Sequence, residues 1–352
     1  MSSSSNSTPR PAHQFGSEEA LQRLKRRHAA ERRFKLYGQI AIGVALSALL
    51  VLTYSIISQA IPAFSKHQVV FDLTLDEATV APQGRQDTQA ISNNVSGFYS
   101  LLQDDLQARF PEGAEDRAGR RELGELVTRL AVLDMAHKVA RTPDMIGTTH
   151  RFTAPLADDL DLYLKGGISA RSKLGFGVVP SLTPTENGQY LATGVNAEAA
   201  SRAGRLLNEA DDGPPSILLD FVGTWMRLET VSGTELTLSH LAGPRPSESL
   251  SGIAPKGLMI QVSEGNRSIS DRLIAWTLML KADKRIKRHF NTDLLFKADS
   301  TYPELAGAAA AIVGSIFTML ITAFFALPVG IFAAVYLEEF APKNRLTDAI
   351  EV

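Results

Sequence analysis

Apolar residues along this chain are gathered into two long blocks instead of being spread evenly. The first runs from Leu36 to Phe64 and the second from Leu305 to Leu337, and neither contains a charged side chain. A helix needs about 20 mostly apolar residues to cross a hydrocarbon core of ~30 Å. Both blocks meet that length, so the pattern predicts a membrane protein with two transmembrane α-helices. Between them lies a long stretch of ordinary mixed composition. The expected division is a basic tail over 1–35, a first span over 36–61, a water-soluble domain over 62–303, a second span over 304–337 and a polar segment over 338–352.

Within the soluble stretch the period changes along the chain. Val95 to Phe110 places Phe98, Leu101, Leu102 and Leu106 on one helical face, and Pro111 ends it. Arg120 to Ala140 reads as another helix, and Ala157 to Leu164 as a third, shorter one. Further on, the runs 217–222, 225–231, 236–241 and 257–262 read as strands separated by turn residues. A last helix starts at Ser268–Asp271 and carries Leu273, Ile274, Leu278 and Met279. The domain is therefore expected to be α+β.

Charge sets the orientation. Residues 1–35 hold eight Lys/Arg and three acids, although the whole chain carries a formal net charge of −2. Lys/Arg clustered beside a span mark the cytoplasmic side, which puts the N-terminus in the cytoplasm and the domain outside it. In a bacterium that domain would be periplasmic and the chain a multi-pass inner-membrane protein, in contact with membrane lipid. The near-neutral balance argues against nucleic acid as a partner. The first block is much longer than a signal-peptide core of about 7–15 residues, so it reads as a retained helix.

The second block raises a geometric problem. The 32 uncharged residues from Ala306 to Leu337 would make a straight helix about 48 Å long at 1.5 Å per residue. That exceeds a bilayer core, so the helix must tilt, break or emerge. Pro328 and Gly330 are the expected break positions, because proline lacks the backbone N–H and its ring clashes with the preceding turn. Gly307, Gly314 and Ser315 supply small residues for close helix packing. Ser315, Thr318 and Thr322 are candidate positions on a transport path, with bonding to their own helix carbonyls as the competing use.

Candidate catalytic chemistry is sparse. The chain has no cysteine, which removes disulfides and thiolate chemistry. It has no phosphate-binding Gly-rich loop with Gly-Lys-Ser/Thr, so this chain is not expected to hydrolyse ATP itself. The seven histidines lack metal-ligand spacing, and no cofactor is expected. Asp158, Asp159, Asp161, Asp211 and Asp212 lie in polar stretches and are expected to be solvated. These features alone leave three architectures open: a two-span sensor, a polysaccharide chain-length regulator, or the front of a larger transporter.

The last residues separate them. The runs 304–307 and 312–320, then 326–342 (ALPVGIFAAVYLEEFAP) and 344–352 (NRLTDAIEV), closely resemble the opening of the permease core in phosphate ABC transporters of the PstA type. Residues 270–291 resemble the end of a long N-terminal extension that precedes this core in some members. The resemblance implies a permease subunit of the type I ABC-importer class that moves inorganic phosphate. It also implies three partners: a second permease subunit of the PstC type, ATPase subunits of the PstB type and a periplasmic phosphate-binding protein of the PstS type. No phosphate-contacting position of that family falls within these residues. The family core continues through several more spans, so a chain stopping at Val352 is expected to be a fragment of such a subunit or a gene product cut short.

Overall fold

The computed structural model describes residues 18–167, 171–208, 213–247 and 250–340. The chain divides after Pro62 into two units. In the first, α1 (Glu18–Ala60) is one unbroken helix of 43 residues that carries the basic stretch directly into the apolar block. Leu46, Leu49, Leu50, Val51 and Ile56 are exposed around it. A helix that is apolar on all sides and unburied is not the amphipathic helix of a soluble surface. It is long and apolar enough to cross a membrane.

The second unit begins with β1 (Ser65–Thr74). Six helices follow: α2 (Glu77–Val80), α3 (Thr88–Asn93), α4 (Val95–Arg109), α5 (Pro111–Ala114), α6 (Arg117–Gly124) and α7 (Leu133–Arg141). Then come β2 (Thr149–Pro155), α8 (Asp158–Lys165), β3 (Arg171–Gly175), β4 (Ser181–Pro184), β5 (Tyr190–Thr193) and α9 (Ala197–Asn208). The strands β6 (Ser216–Phe221), β7 (Thr224–Ser232), β8 (Glu235–Ala242) and β9 (Lys256–Ile260) precede α10 (Asp271–Ala282), β10 (Ile286–Phe290), α11 (Asp293–Phe296) and α12 (Ala309–Val335).

Two antiparallel sheets result. The smaller has the order β10-β1-β2, and the larger has the order β3-β9-β6-β7-β8-β5-β4. Alternation along β1 turns Val69, Phe71 and Leu73 inward with Phe152 and Ala154 of β2. Helices α3, α4, α6, α7 and α10 close this core, together with Leu218, Trp225, Ala242 and Ile260 from one face of the larger sheet. The other face of that sheet packs Ile217, Leu219, Phe221, Met226 and Leu228 under Ala200 and Ala203 of α9. Because β6 is covered on both faces, it reads as a continuous apolar run, as sheets buried on both sides do. Ser270 starts α10 by accepting from the Leu273 amide at 3.1 Å. This helix is buried over Leu273–Thr277, Trp276 included.

The α+β domain between two apolar helices agrees with the sequence pattern, and several details differ from it. The helix expected over 120–140 is split, because the turn after Gly124 buries Leu126 and Val127. The Leu126 carbonyl there accepts from the Ala157 amide at 3.0 Å instead of continuing a helix. Strands β1 to β5 and helix α9 were not expected, and the basic run after α10 forms strand β10. The second apolar helix starts at Ala309, not at residue 304. It also runs unbroken through Pro328, so the expected break is absent; a wider π-type turn at Tyr336–Phe340 follows it. One missing N–H in 27 residues leaves the flanking bonds to hold the helix. The tail before Glu18, the pair Asp211–Asp212 and the segment 341–352 lie outside the described residues.

Candidate functional site

The predicted membrane positions all lie on α12. At 3.6 residues per turn, Ala311, Ser315, Thr318, Thr322 and Ala326 fall on one face. Ser315 Oγ donates to the Ala311 carbonyl at 2.8 Å and Thr318 Oγ1 to the Gly314 carbonyl at 2.9 Å. Those hydroxyls are used within the helix. Pro328 and Gly330 lie off this face. Pro328 leaves the Phe324 carbonyl without its usual donor from the next turn. Large side chains such as Phe317, Leu320 and Phe324 occupy the remaining circumference and are exposed.

The start of α12 is tied into the domain by contacts that the sequence did not reveal. The first amides of a helix have no partner inside it. Here the Gly307 amide donates to Ala298 O at 2.8 Å, Ala308 to Leu294 O at 2.7 Å and Ala309 to Lys297 O at 3.2 Å. These carbonyls belong to α11 and the turn after it, which is why residues 306–308 do not extend α12. Asp293, the first residue of α11, is ion-paired to Lys66 of β1 and to Lys297, the latter at 3.1 Å. Burial works against the charge of Asp293, and the hydrogen bonds from Lys66 and Lys297 outweigh it, holding the carboxyl below its ordinary pKa. The Asn291 amide donates to Phe64 O at 2.9 Å, and its side chain donates to Ala63 O at 3.1 Å.

A second constellation lies at the start of α10. Asp271 is fully buried and ion-paired to Arg267, whose side chain is also buried. Ser216 Oγ donates to Asp271 at 2.9 Å, and Arg267 donates to Ser216 Oγ at 2.8 Å. Arg227 bridges Glu229 at 3.0 Å and Glu264 at 2.6 Å. Burial pushes the Asp271 carboxyl up, against the pull of Arg267. Burial also opposes the charge of Arg227, but Glu229 outweighs it and raises the pKa. A cleft of about 370 Å³ beside this network is lined by Ser216, Arg227, Glu229 and Glu264. Since Arg227 is already shared among carboxylates, it offers little charge to an added anion.

Of the acids expected to be solvated, Asp161 is not. It is buried and takes a hydrogen bond from the His67 amide at 2.9 Å, with Lys165 Nζ at 2.5 Å and His67 Nδ1 at 2.7 Å. Asp158 and Asp159 line a separate cleft of about 480 Å³ with Glu125 and Glu304. Burial first, then Glu304, pushes the Asp158 carboxyl up. Four carboxyl groups there oppose anion binding. Among the described residues, no three His, Asp or Glu side chains gather as a metal site would require.

Residues 21–173 match a family described as a domain of unknown function (DUF3333). The match spans most of α1 and the first part of the domain, through β1, α2–α8 and β2 to the start of β3. No curated protein and no solved structure matches the chain.

Proposed function

We propose that the chain contributes the first helices of a permease subunit in an ATP-driven importer of inorganic phosphate. The observation that carries this reading is the second apolar helix. Its small and hydroxyl-bearing face suits close packing against other membrane helices, and its sequence from Ala326 onward resembles the PstA-type permease core. A lone anchor needs neither feature. In this reading α12 packs beside further spans and a PstC-type partner. PstB-type ATPase subunits drive alternating access from the cytoplasm, and a PstS-type binding protein delivers phosphate to the outer side. The soluble domain then lies in the periplasm, with the basic N-terminus inside.

The hydroxyls of Ser315 and Thr318 serve helix packing in this proposal, and substrate contact falls to other spans. The test is uptake of labelled phosphate by cells whose only high-affinity importer includes this gene. Disrupting the gene should abolish uptake, and Ser315→Leu with Thr318→Leu should reduce it while leaving membrane insertion unchanged. Full uptake after disruption overturns the reading, and co-purification with a signalling kinase in place of an ATPase would replace it with the two-span sensor.

A further inference from the structure

The surface around the start of α12 carries exposed aromatic and basic side chains. Phe296, at the end of α11, is 80% exposed and Phe290, at the end of β10, is 59% exposed. Phe290 stacks on Phe64 with ring centroids 6.3 Å apart. Lys287, Arg288 and His289 are exposed along β10, the edge strand of the smaller sheet. Neither Lys287 nor Arg288 forms an ion pair among the described residues. An edge strand gains protection from aggregation through lysine, but that does not account for aromatic rings beside it.

Position accounts for both. The α11 turn is hydrogen-bonded to the first amides of α12, so Phe296 sits where the apolar helix begins. His289 lies opposite Lys66 in the sheet register, and Lys66 reaches Asp293 of α11. The strand is thus joined to the same junction. Lys287 is three residues, about 10 Å, from Phe290 along the strand. The headgroup zone on each side of a bilayer is about 5–8 Å deep. Arg288 and His289 fall within it when Phe290 and Phe296 occupy the interface. Aromatic rings favour that level of a membrane, and clustered basic side chains next to it favour anionic lipid.

We infer that Phe290 and Phe296 seat the domain on the membrane surface while Arg288 and His289 bind the phosphate groups of anionic phospholipids and Lys287, just above them, adds to the attraction. This rests on the membrane crossing of α12 and does not depend on phosphate transport. It also gives a use to a basic run on the side of the span where positive charge is not needed for orientation.

The chain contains no cysteine, so single cysteines placed in the full-length protein carry unique spin labels. The sites are His289→Cys, Phe296→Cys and, as a control on the β4–β5 turn, Glu186→Cys. The protein is reconstituted in vesicles of phosphatidylcholine alone or with one-third phosphatidylglycerol, each doped with a nickel-chelating lipid that relaxes labels near the headgroups. Relaxation at 289 and 296 should exceed that at 186 several-fold. At 289 it should rise further with phosphatidylglycerol, fall to the phosphatidylcholine level in K287Q/R288Q and persist in K287R/R288K. Near-ultraviolet dichroism from the buried Trp225 and Trp276 reports that each variant is folded. Values at 289 and 296 equal to the control in both membranes, which leave the strand to a protein partner or a second copy, overturn the inference. Contact at 289 that ignores both lipid charge and neutralisation of Lys287 and Arg288 overturns the headgroup assignment.

Discussion

The indole N–H of Trp276 donates to Glu112 Oε1 at 3.0 Å, joining α10 to the short α5 turn across 164 positions of sequence. The same oxygen accepts from the Gly243 amide at 2.9 Å, so one carboxylate holds a helix, a turn and the end of β8. Trp276 is fully buried against Phe110, with ring centroids 5.6 Å apart. Glu112→Ala leaves both donors without this acceptor. A buried donor left unsatisfied costs about 1–3 kcal/mol. Chemical unfolding of the detergent-solubilised protein, followed by the fluorescence of its two buried tryptophans, Trp225 and Trp276, should show a loss of that size. Glu112→Gln keeps an acceptor oxygen and should retain most of the stability.

The Arg267–Asp271 pair makes an asymmetric prediction. Removing one partner strands a buried charge and costs about 3–5 kcal/mol, whereas replacing both with apolar groups of similar volume is often neutral. Asp271→Leu alone should therefore destabilise strongly, because Arg267 stays buried beside Ser216. Arg267→Met combined with Asp271→Leu should recover much of the loss in the same unfolding experiment. Equal losses in the single and double variants would contradict the pairing.

The sequence displayed this fold unevenly. The two membrane-length helices were legible because hydrocarbon thickness sets a minimum apolar length that few other elements reach. Strands β6 to β9 were legible as β-rich runs between turns, and α10 through the Ser270 start. Strand β1 was not, because the buried Lys66 and half-buried His67 at its beginning are accommodated through partners at Asp293 and Asp161, far along the chain. Strands β4 and β5 have four residues each, too few for a period to register. Arg267 reads as a surface residue in Asn-Arg-Ser, and only the folded chain brings Ser216 and Asp271 to it. Pro328 marks a lost bond without dictating that the helix ends there, and α12 runs on through it. The transport reading depends on resemblance, as no described cleft concentrates positive charge for phosphate.

Asp161 gives the stability a pH dependence with a defined sign. Burial alone would raise its pKa, but the hydrogen bonds from His67 and Lys165 outweigh burial and hold the carboxyl below its ordinary value. The unfolded chain then binds this proton more readily than the folded one, so stability rises with pH across that range. The contribution is fully present above the unfolded carboxylate pKa of about 3.9 and is lost as pH falls through the lower folded value. Asp161→Asn should cost about 2 kcal/mol at neutral pH, the scale of charge-assisted hydrogen bonds. It should also flatten the decline in stability below about pH 4. Urea unfolding of both proteins between neutral and acidic pH measures the difference, and parallel curves would remove Asp161 from the account.

Gly307 makes the sharpest structural prediction, because a side chain there meets backbone. A Cβ at this position would lie 2.1 Å from the Lys297 carbonyl and 2.4 Å from the Asp293 carbonyl. Backbone cannot yield as a flexible side chain can, so Gly307→Ala must push α11 away from the start of α12. The amides of Gly307, Ala308 and Ala309 then lose the carbonyls that satisfy them, and Asp293 shifts relative to Lys66. Gly330→Ala is the matched control: nothing lies within 4 Å of its added Cβ, and alanine favours a helix over glycine by roughly 0.5–1 kcal/mol. Hydrogen exchange of the reconstituted full chain should speed up at residues 307–309 and in α11 for Gly307→Ala, and stay unchanged there for Gly330→Ala. Unaltered exchange in Gly307→Ala would mean that α12 is joined to the domain by a loose linker and not by this junction.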